Sequence, residues 1–227
     1  MGLDFTTFKN VIDGKTVESK TTRHGINPAT KKPNPEVPVA TEADLDVAVK
    51  AARKAFNSWK KTTYEERAKA LNAYANAIIG EKDNFAKLLT QEQGKPLAAA
   101  EEEVDAGWWW LTEIAKMEIK DEKVEDTPER EVFVRYTPLG VCGAIVPWNF
   151  PIQLALGKVA PAIISGNTII IKPSPFTPYC SLKLVELAQE FFPPGVIQVL
   201  SGDDNLGPWI TSHPDVHKPS FSLPFHY

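Results

Sequence analysis

Along the first half of the chain, apolar residues recur every three or four positions. Leu45, Ala48, Val49, Ala52, Ala55, Phe56 and Trp59 form one stripe. Leu71, Tyr74, Ala75 and Ile78 form a second, and Phe85, Leu88 and Leu89 a third. That spacing predicts amphipathic helices. Thr41-Glu42-Ala43-Asp44 and Thr63-Tyr64-Glu65-Glu66 begin the first two, each with a hydroxyl followed three residues later by a carboxylate. Such pairs satisfy the free N–H groups of a helix start. Gly94 and Pro96 punctuate the third stretch, as residues at helix ends do. A fourth helix is predicted from about 97 to 117, with Glu101-Glu102-Glu103 near its N-terminal end, where negative charge suits the helix dipole. Inside it, Trp108-Trp109-Trp110 fan over about 200° of the helix, so at least one is expected to pack on the core. Residues 25–40 are broken by prolines and read as an extended leader with turns.

The pattern changes after Lys120. Residues 121–130 are charged and carry Pro128, and residues 131–136 then alternate, Val132, Val134 and Tyr136 against Glu131, Phe133 and Arg135. That is a strand not buried on both faces. From Val141 onward short β-rich runs (141–146, 168–172, 196–200, about 216–221) are separated by helical ones (152–164, 178–192, 205–212). Alternation of this kind predicts an α/β fold with right-handed crossovers and a parallel sheet. Parallel sheets bind ligands at the carboxyl ends of their strands. Two stretches fall there: Val146-Pro147-Trp148-Asn149-Phe150-Pro151, with one amide between two aromatic residues, and Lys172-Pro173-Ser174-Pro175. The glycine-bearing run Ser201-Gly202-Asp203-Asp204-Asn205-Leu206-Gly207 also follows a strand, but G-x-G-x-x-G is absent. A turn and a helix start explain the run equally well.

Composition narrows the function. The chain has 227 residues, 43% hydrophobic and 24% charged, with a formal net charge of −4. That is ordinary for a globular protein, and it lacks the basic field a nucleic-acid binder needs. The longest apolar stretch, 151–171, is interrupted by Gln153, Lys158 and Asn167, so no membrane span is expected. Two cysteines, Cys142 and Cys180, form neither a metal cluster nor a disulfide framework. A reducing cytoplasm is the expected location.

Several motifs, in order and spacing, resemble the aldehyde dehydrogenase superfamily. They are Tyr136-Thr137-Pro138-Leu139-Gly140-Val141, Ile145-Val146-Pro147-Trp148-Asn149-Phe150-Pro151, Gly166-Asn167-Thr168 and Lys172-Pro173-Ser174. The resemblance covers nearly the whole chain, up to about His217, and matches the first half of that family. It implies an N-terminal helical region followed by an incomplete Rossmann-like parallel sheet with crossover helices, plus a β arm. Residues 1–118 and 139–227 would be a partial NAD(P)-binding domain and 119–138 a partial oligomerisation arm, with the catalytic domain absent. The implied chemistry is NAD(P)+-dependent oxidation of an aldehyde to a carboxylic acid. A cysteine thiolate attacks the aldehyde, hydride passes to NAD(P)+, and a glutamate-activated water hydrolyses the thioester.

The same resemblance assigns roles. Asn149 is the oxyanion donor. Ile145, Val146, Pro147, Trp148, Lys172, Ser174 and Gly202 face the NAD or NADP cofactor, and Phe150, Leu154 and Lys158 face the substrate channel. No metal is implied. From the residues alone, Asn149 reads first as a turn amide capping the following helix. Pro175 stands where many members carry a ribose-binding glutamate, which leaves NAD versus NADP open. Lys218-Pro219-Ser220-Phe221 replaces a family strand, which Pro219 is expected to weaken, and the Thr-Gly-Ser turn after it is lost. The expected nucleophile and general base lie beyond the matched half, so the chain is expected to be inactive alone. The alternatives are a non-catalytic module that pairs, as a homo- or hetero-oligomer, with a full-length relative, and a degenerate truncated product.

Overall fold

The computed structural model describes residues 2–222. Four parallel strands carry the sheet: β7 (Val141–Ile145), β8 (Thr168–Lys172), β9 (Ile197–Val199) and β10 (Lys218–Phe221). Two antiparallel strands extend it, β1 (Asn10–Ile12) and β2 (Lys15–Val17), giving the order β10-β7-β8-β9-β1-β2. Asp13 and Gly14 join β1 to β2, both at positive φ (49° and 77°). That backbone matches the right-handed twist of a two-residue hairpin and suits an Asp-Gly pair. Residues 25–40 are more regular than expected. β3 (Thr22–Ile26) and β4 (Pro33–Pro38) form an antiparallel pair of their own.

Both faces of the parallel sheet are covered, as the apolar strands require. Ile169 and Ile171 point into one core and Ile170 into the other, the period-two alternation of a strand. On one side lie α1 (Glu42–Trp59) and α7 (Leu206–Ser212). On the other lie α5 (Pro151–Ile164) and α6 (Tyr179–Ala188), themselves covered by α2 (Tyr64–Gly80), α3 (Lys82–Gln93) and α4 (Leu97–Ile114). The capping boxes at Thr41/Asp44 and Thr63/Glu66 form as expected.

Three expectations need correction. All three tryptophans of α4 are at least a third exposed (37%, 53% and 36%), because Ala100, Val104, Gly107, Leu111 and Ile114 take the buried face. The charged stretch after Lys120 contains a strand, β5 (Glu122–Asp126), paired antiparallel with β6 (Glu131–Val134). Pro219 does not prevent β10 from forming. It lies opposite Gly143 of β7, with β10 the outermost strand among the described residues, and an edge is where a missing donor is tolerated. The lost Thr-Gly-Ser turn extends into residues 223–227, outside the described residues.

Candidate functional site

The carboxyl ends of β7, β8 and β9 come together with the start of α7. Ile145 lies opposite Lys172, and the Val146 N–H donates to the Lys172 carbonyl (3.0 Å). Lys172 is buried, and its Nζ makes one hydrogen bond among the described residues, to the Pro173 carbonyl (3.3 Å). A Cβ placed on Gly207 would sit 3.8 Å from Lys172 Cε, so this lysine reaches the first turn of α7. Burial pulls its ammonium below the ordinary lysine range, with Asp204 opposing that effect. Ser174 is buried, and its hydroxyl accepts from the Phe176 N–H (3.2 Å). Gly202 packs against Leu206. Pro147 is buried, whereas Trp148 is exposed and lines a 470 Å³ cavity with Arg23, Glu92, Pro175 and Phe176. Thr177 lines this cavity too, and its buried hydroxyl has no partner.

Asn149 and Phe150 face a different cavity, about 620 Å³, together with Gln93, Lys95, Glu103 and Gln153. The cap reading of Asn149 fails here. Its side chain makes no bond to α5, whose N-cap is Phe150 and whose first residue is Pro151. The free N–H groups of α5 are satisfied from another element. Glu103 Oε1, on α4, accepts from the N–H of Ile152 (2.8 Å) and of Gln153 (3.2 Å). A carboxylate at a helix N-terminus complements the dipole. Lys95 pairs with the other oxygen of Glu103, donates to the Asn149 backbone carbonyl (3.2 Å) and lies 4.3 Å from the centre of the Phe150 ring. The turn is thus pinned through its backbone. The Asn149 Oδ1 is buried without a partner, and Nδ2 forms no hydrogen bond among the described residues.

Glu92 repeats the device on α6. Its carboxylate accepts from the N–H groups of Tyr179 (2.8 Å) and Cys180 (3.2 Å). Burial raises its pKa to about 7 against the opposing pull of those bonds. Glu92 and Lys95 did not stand out in the sequence, and Glu103 was expected to serve the dipole of α4, whose first turn holds no acidic residue, rather than to cap α5. A signal was present: Glu92 continues the Phe85, Leu88, Leu89 stripe, and Glu103 falls between Ala100 and Gly107 on the buried face of α4. A carboxylate on an apolar stripe must find a partner.

The remaining candidates are dispersed. Leu154 is partly buried against the core, and Lys158 lines a separate groove, donating to Ser220 Oγ (3.0 Å). Both cysteines are buried. Burial pushes the Cys142 thiol up to about 11, and burial together with the Glu92 carboxylate pushes Cys180 well above its ordinary value. The fall in pKa that a helix start can give is therefore reversed at Cys180. Neither thiol is poised as a nucleophile. Among the described residues no cluster of three His, Cys, Asp or Glu could hold a metal. No described helix is long and apolar enough to cross a membrane.

Comparison with known proteins agrees with the fold. The model of the aldehyde dehydrogenase family matches residues 16–222. The aldehyde dehydrogenase LUC3 of a Fusarium species is 44% identical over 220 residues, 97% of this chain and 46% of its own. A betaine aldehyde dehydrogenase of Staphylococcus aureus in complex with NAD+ superposes with a TM-score of 0.92 at 32% identity, over 97% of this chain and 47% of its own. An NADP-dependent enzyme of E. coli superposes with a TM-score of 0.91 at 31% identity, over 96% and 47%. The chain spans about half the length of the curated relatives it matches. With a family match across nearly all its length and the same fold at better than 30% identity, this chain belongs to the aldehyde dehydrogenase family.

Proposed function

We propose that this chain forms the cofactor-binding, oxyanion-stabilising half of a site that oxidises an aldehyde to a carboxylic acid with NAD(P)+. One observation carries the reading. Glu103 caps α5, which leaves the Asn149 amide uncommitted at the carboxyl end of β7, beside a cavity. A donor already held in place where negative charge develops can contribute about 3–4 kcal/mol to the transition state. Asn149 Nδ2 is such a donor for the aldehyde oxygen, and Phe150 lines the same cavity.

Lys172, buried with no carboxylate in ion-pair contact among the described residues, fits a ribose hydroxyl or phosphate. Ile145, Val146, Pro147 and Trp148 form the wall beside it, with Ser174 and Gly202 at the neighbouring strand ends. NAD(P)+ held by these residues would supply the hydride acceptor. Pro175 places no carboxylate against a 2′-phosphate, so the site takes either cofactor. Because both thiols are buried and protonated, the nucleophile comes from outside the described residues, and the chain does not turn over aldehyde by itself.

The test is to titrate the purified chain with NAD+ and NADP+ by tryptophan fluorescence, then add an aldehyde panel and follow reduced-cofactor absorbance. Saturable cofactor binding that weakens in Lys172→Met, with no steady reduction, is expected. Steady turnover would refute the reading, as would absence of binding.

A second role has its own observation. The β5–β6 pair joins no other sheet and exposes Val124, Val132, Phe133 and Val134. A lone two-stranded ribbon is marginal in water, so this arm is proposed to pair with another copy or a longer relative. A strictly monomeric chain that fails to co-purify with either would remove that role.

A further inference from the structure

On the α5 side of the β10 edge lies a groove of about 450 Å³, apart from the Asn149 cavity, and Lys158, expected in the substrate channel, lines this groove instead. Its walls are apolar: Tyr136, Leu139, Pro161 and Ala162 line it. Two amines line it, Lys158 on α5 and Lys218 on β10, together with the Ser220 hydroxyl of the same strand. Lys158 donates to Ser220 Oγ at 3.0 Å, and neither lysine forms an ion pair among the described residues. Among the described residues no aspartate or glutamate lines the groove. The other titratable groups there are Cys142, whose thiol burial keeps protonated, and Tyr136. Asn167 is already committed, accepting from the Gly140 N–H and donating to Ser165. An apolar cleft of this size with a few convergent polar groups is the form of a small-molecule site. Two cations without a counter-charge fix the sign of the ligand.

We propose that this groove binds small amphipathic monocarboxylates, with the carboxylate between Lys158, Lys218 and Ser220 and the apolar body along Tyr136, Leu139 and Pro161. The site depends on neither the cofactor nor Asn149. Burial and the like charge of Lys218 hold the Lys158 amine below its ordinary pKa. A bound carboxylate opposes that effect, so the acid should bind less tightly once pH rises through the lowered Lys158 pKa.

The experiment is calorimetric titration of the whole chain with indole-3-acetate and with its neutral isostere, indole-3-acetamide. A saturable one-to-one isotherm is expected, with the acid binding roughly tenfold more tightly than the amide. Lys218→Met, an exposed change, should reduce that preference, and the Lys158→Met/Lys218→Met double variant should abolish it. Thermal transitions recorded in parallel confirm that each variant folds. Repeating the titration at rising pH should weaken binding of the acid and leave that of the amide unchanged. Equal affinity for acid and amide would overturn the proposal. So would a preference that survives in the double variant, or the absence of a saturable isotherm.

Discussion

Replacing Glu103 by glutamine tests how the Asn149 turn is held. The carboxylate side chain is fully buried, and its Lys95 partner is 10% exposed. Glutamine keeps an oxygen for the Ile152 and Gln153 N–H groups but leaves the Lys95 ammonium with only the Asn149 carbonyl and the Phe150 ring face. Breaking a buried pair from one side costs about 3–5 kcal/mol. Lys95 opens onto the 620 Å³ cavity, where solvent offsets part of that cost, so the lower end, about 3 kcal/mol, is expected. Alanine also removes both caps, and each hydrogen bond to a charged group is worth about 1.5–3 kcal/mol. Its expected cost is therefore about 6 kcal/mol or more, exceptional for one substitution. Lys95→Met/Glu103→Gln removes both charges and should cost less than Glu103→Gln alone, because the burial penalty falls with the pair. Urea melts followed by circular dichroism measure each value. In a chain this long, about 3 kcal/mol lowers Tm by roughly 6–12 °C. A Glu103→Gln variant within about 0.5 kcal/mol of the parent would refute the reasoning, as would a double variant whose loss equals the sum of the singles.

Asn149→Ala should leave stability within about 0.5 kcal/mol of the parent, since its amide has no hydrogen-bond partner to lose; a larger loss in the same melts would mean that the amide is structural. Glu92 is held protonated up to about pH 7 by burial, against an ordinary carboxyl value of 4.5. Between those values the folded state binds more protons than the unfolded state, so this group's contribution is full below the lower value and is lost as pH rises through the upper one. The slope is up to about 1.4 kcal/mol per pH unit, and Glu92→Gln should flatten it in melts recorded from pH 5 to 8. Gly195 has φ +83°, and a Cβ there would stand 2.8 Å from the Ala51 carbonyl oxygen; Gly195→Ala should cost at least the 1–2 kcal/mol or so of a left-handed residue, read as a fall in urea midpoint.

Much of the fold is written in local patterns. The helical stripes and both capping boxes need only neighbours in sequence, and the structure contains them nearly as read. The β1–β2 hairpin was missed, although Asn10-Val11-Ile12-Asp13-Gly14-Lys15 carries an Asp-Gly turn after a short apolar run. A three-residue strand gives too little alternation to reveal itself, and its place beside β9 is a long-range pairing. The strand in Glu122–Asp126 was hidden for another reason. Its exposed, charged residues have no periodic burial, and it is held by pairing to β6 and by ion pairs such as Glu125 with Arg130. Around the candidate site, the stretches after β7 and β8 could be read as strand ends because the alternation of strands and helices marks them. Glu92 and Glu103 could not be placed, because their partners lie 87 and 49 residues away in sequence.

These distant carboxylates explain how an uncommitted amide survives in a tight turn. Asparagine before a helix ordinarily spends its side chain on the helix's own N–H groups. Here two features remove that use. Pro151 takes one N–H out of play, and Glu103 occupies the next two from outside. Lys95 then fixes the backbone of the turn through the Asn149 carbonyl, so the side chain is positioned without being consumed. The cost of burying Glu103 and Lys95 would be hard to justify by stability alone, since a well-packed apolar pair often does as well. It is consistent with a site that needs its donor both immobile and unbonded, which is what stabilising a transient oxyanion requires.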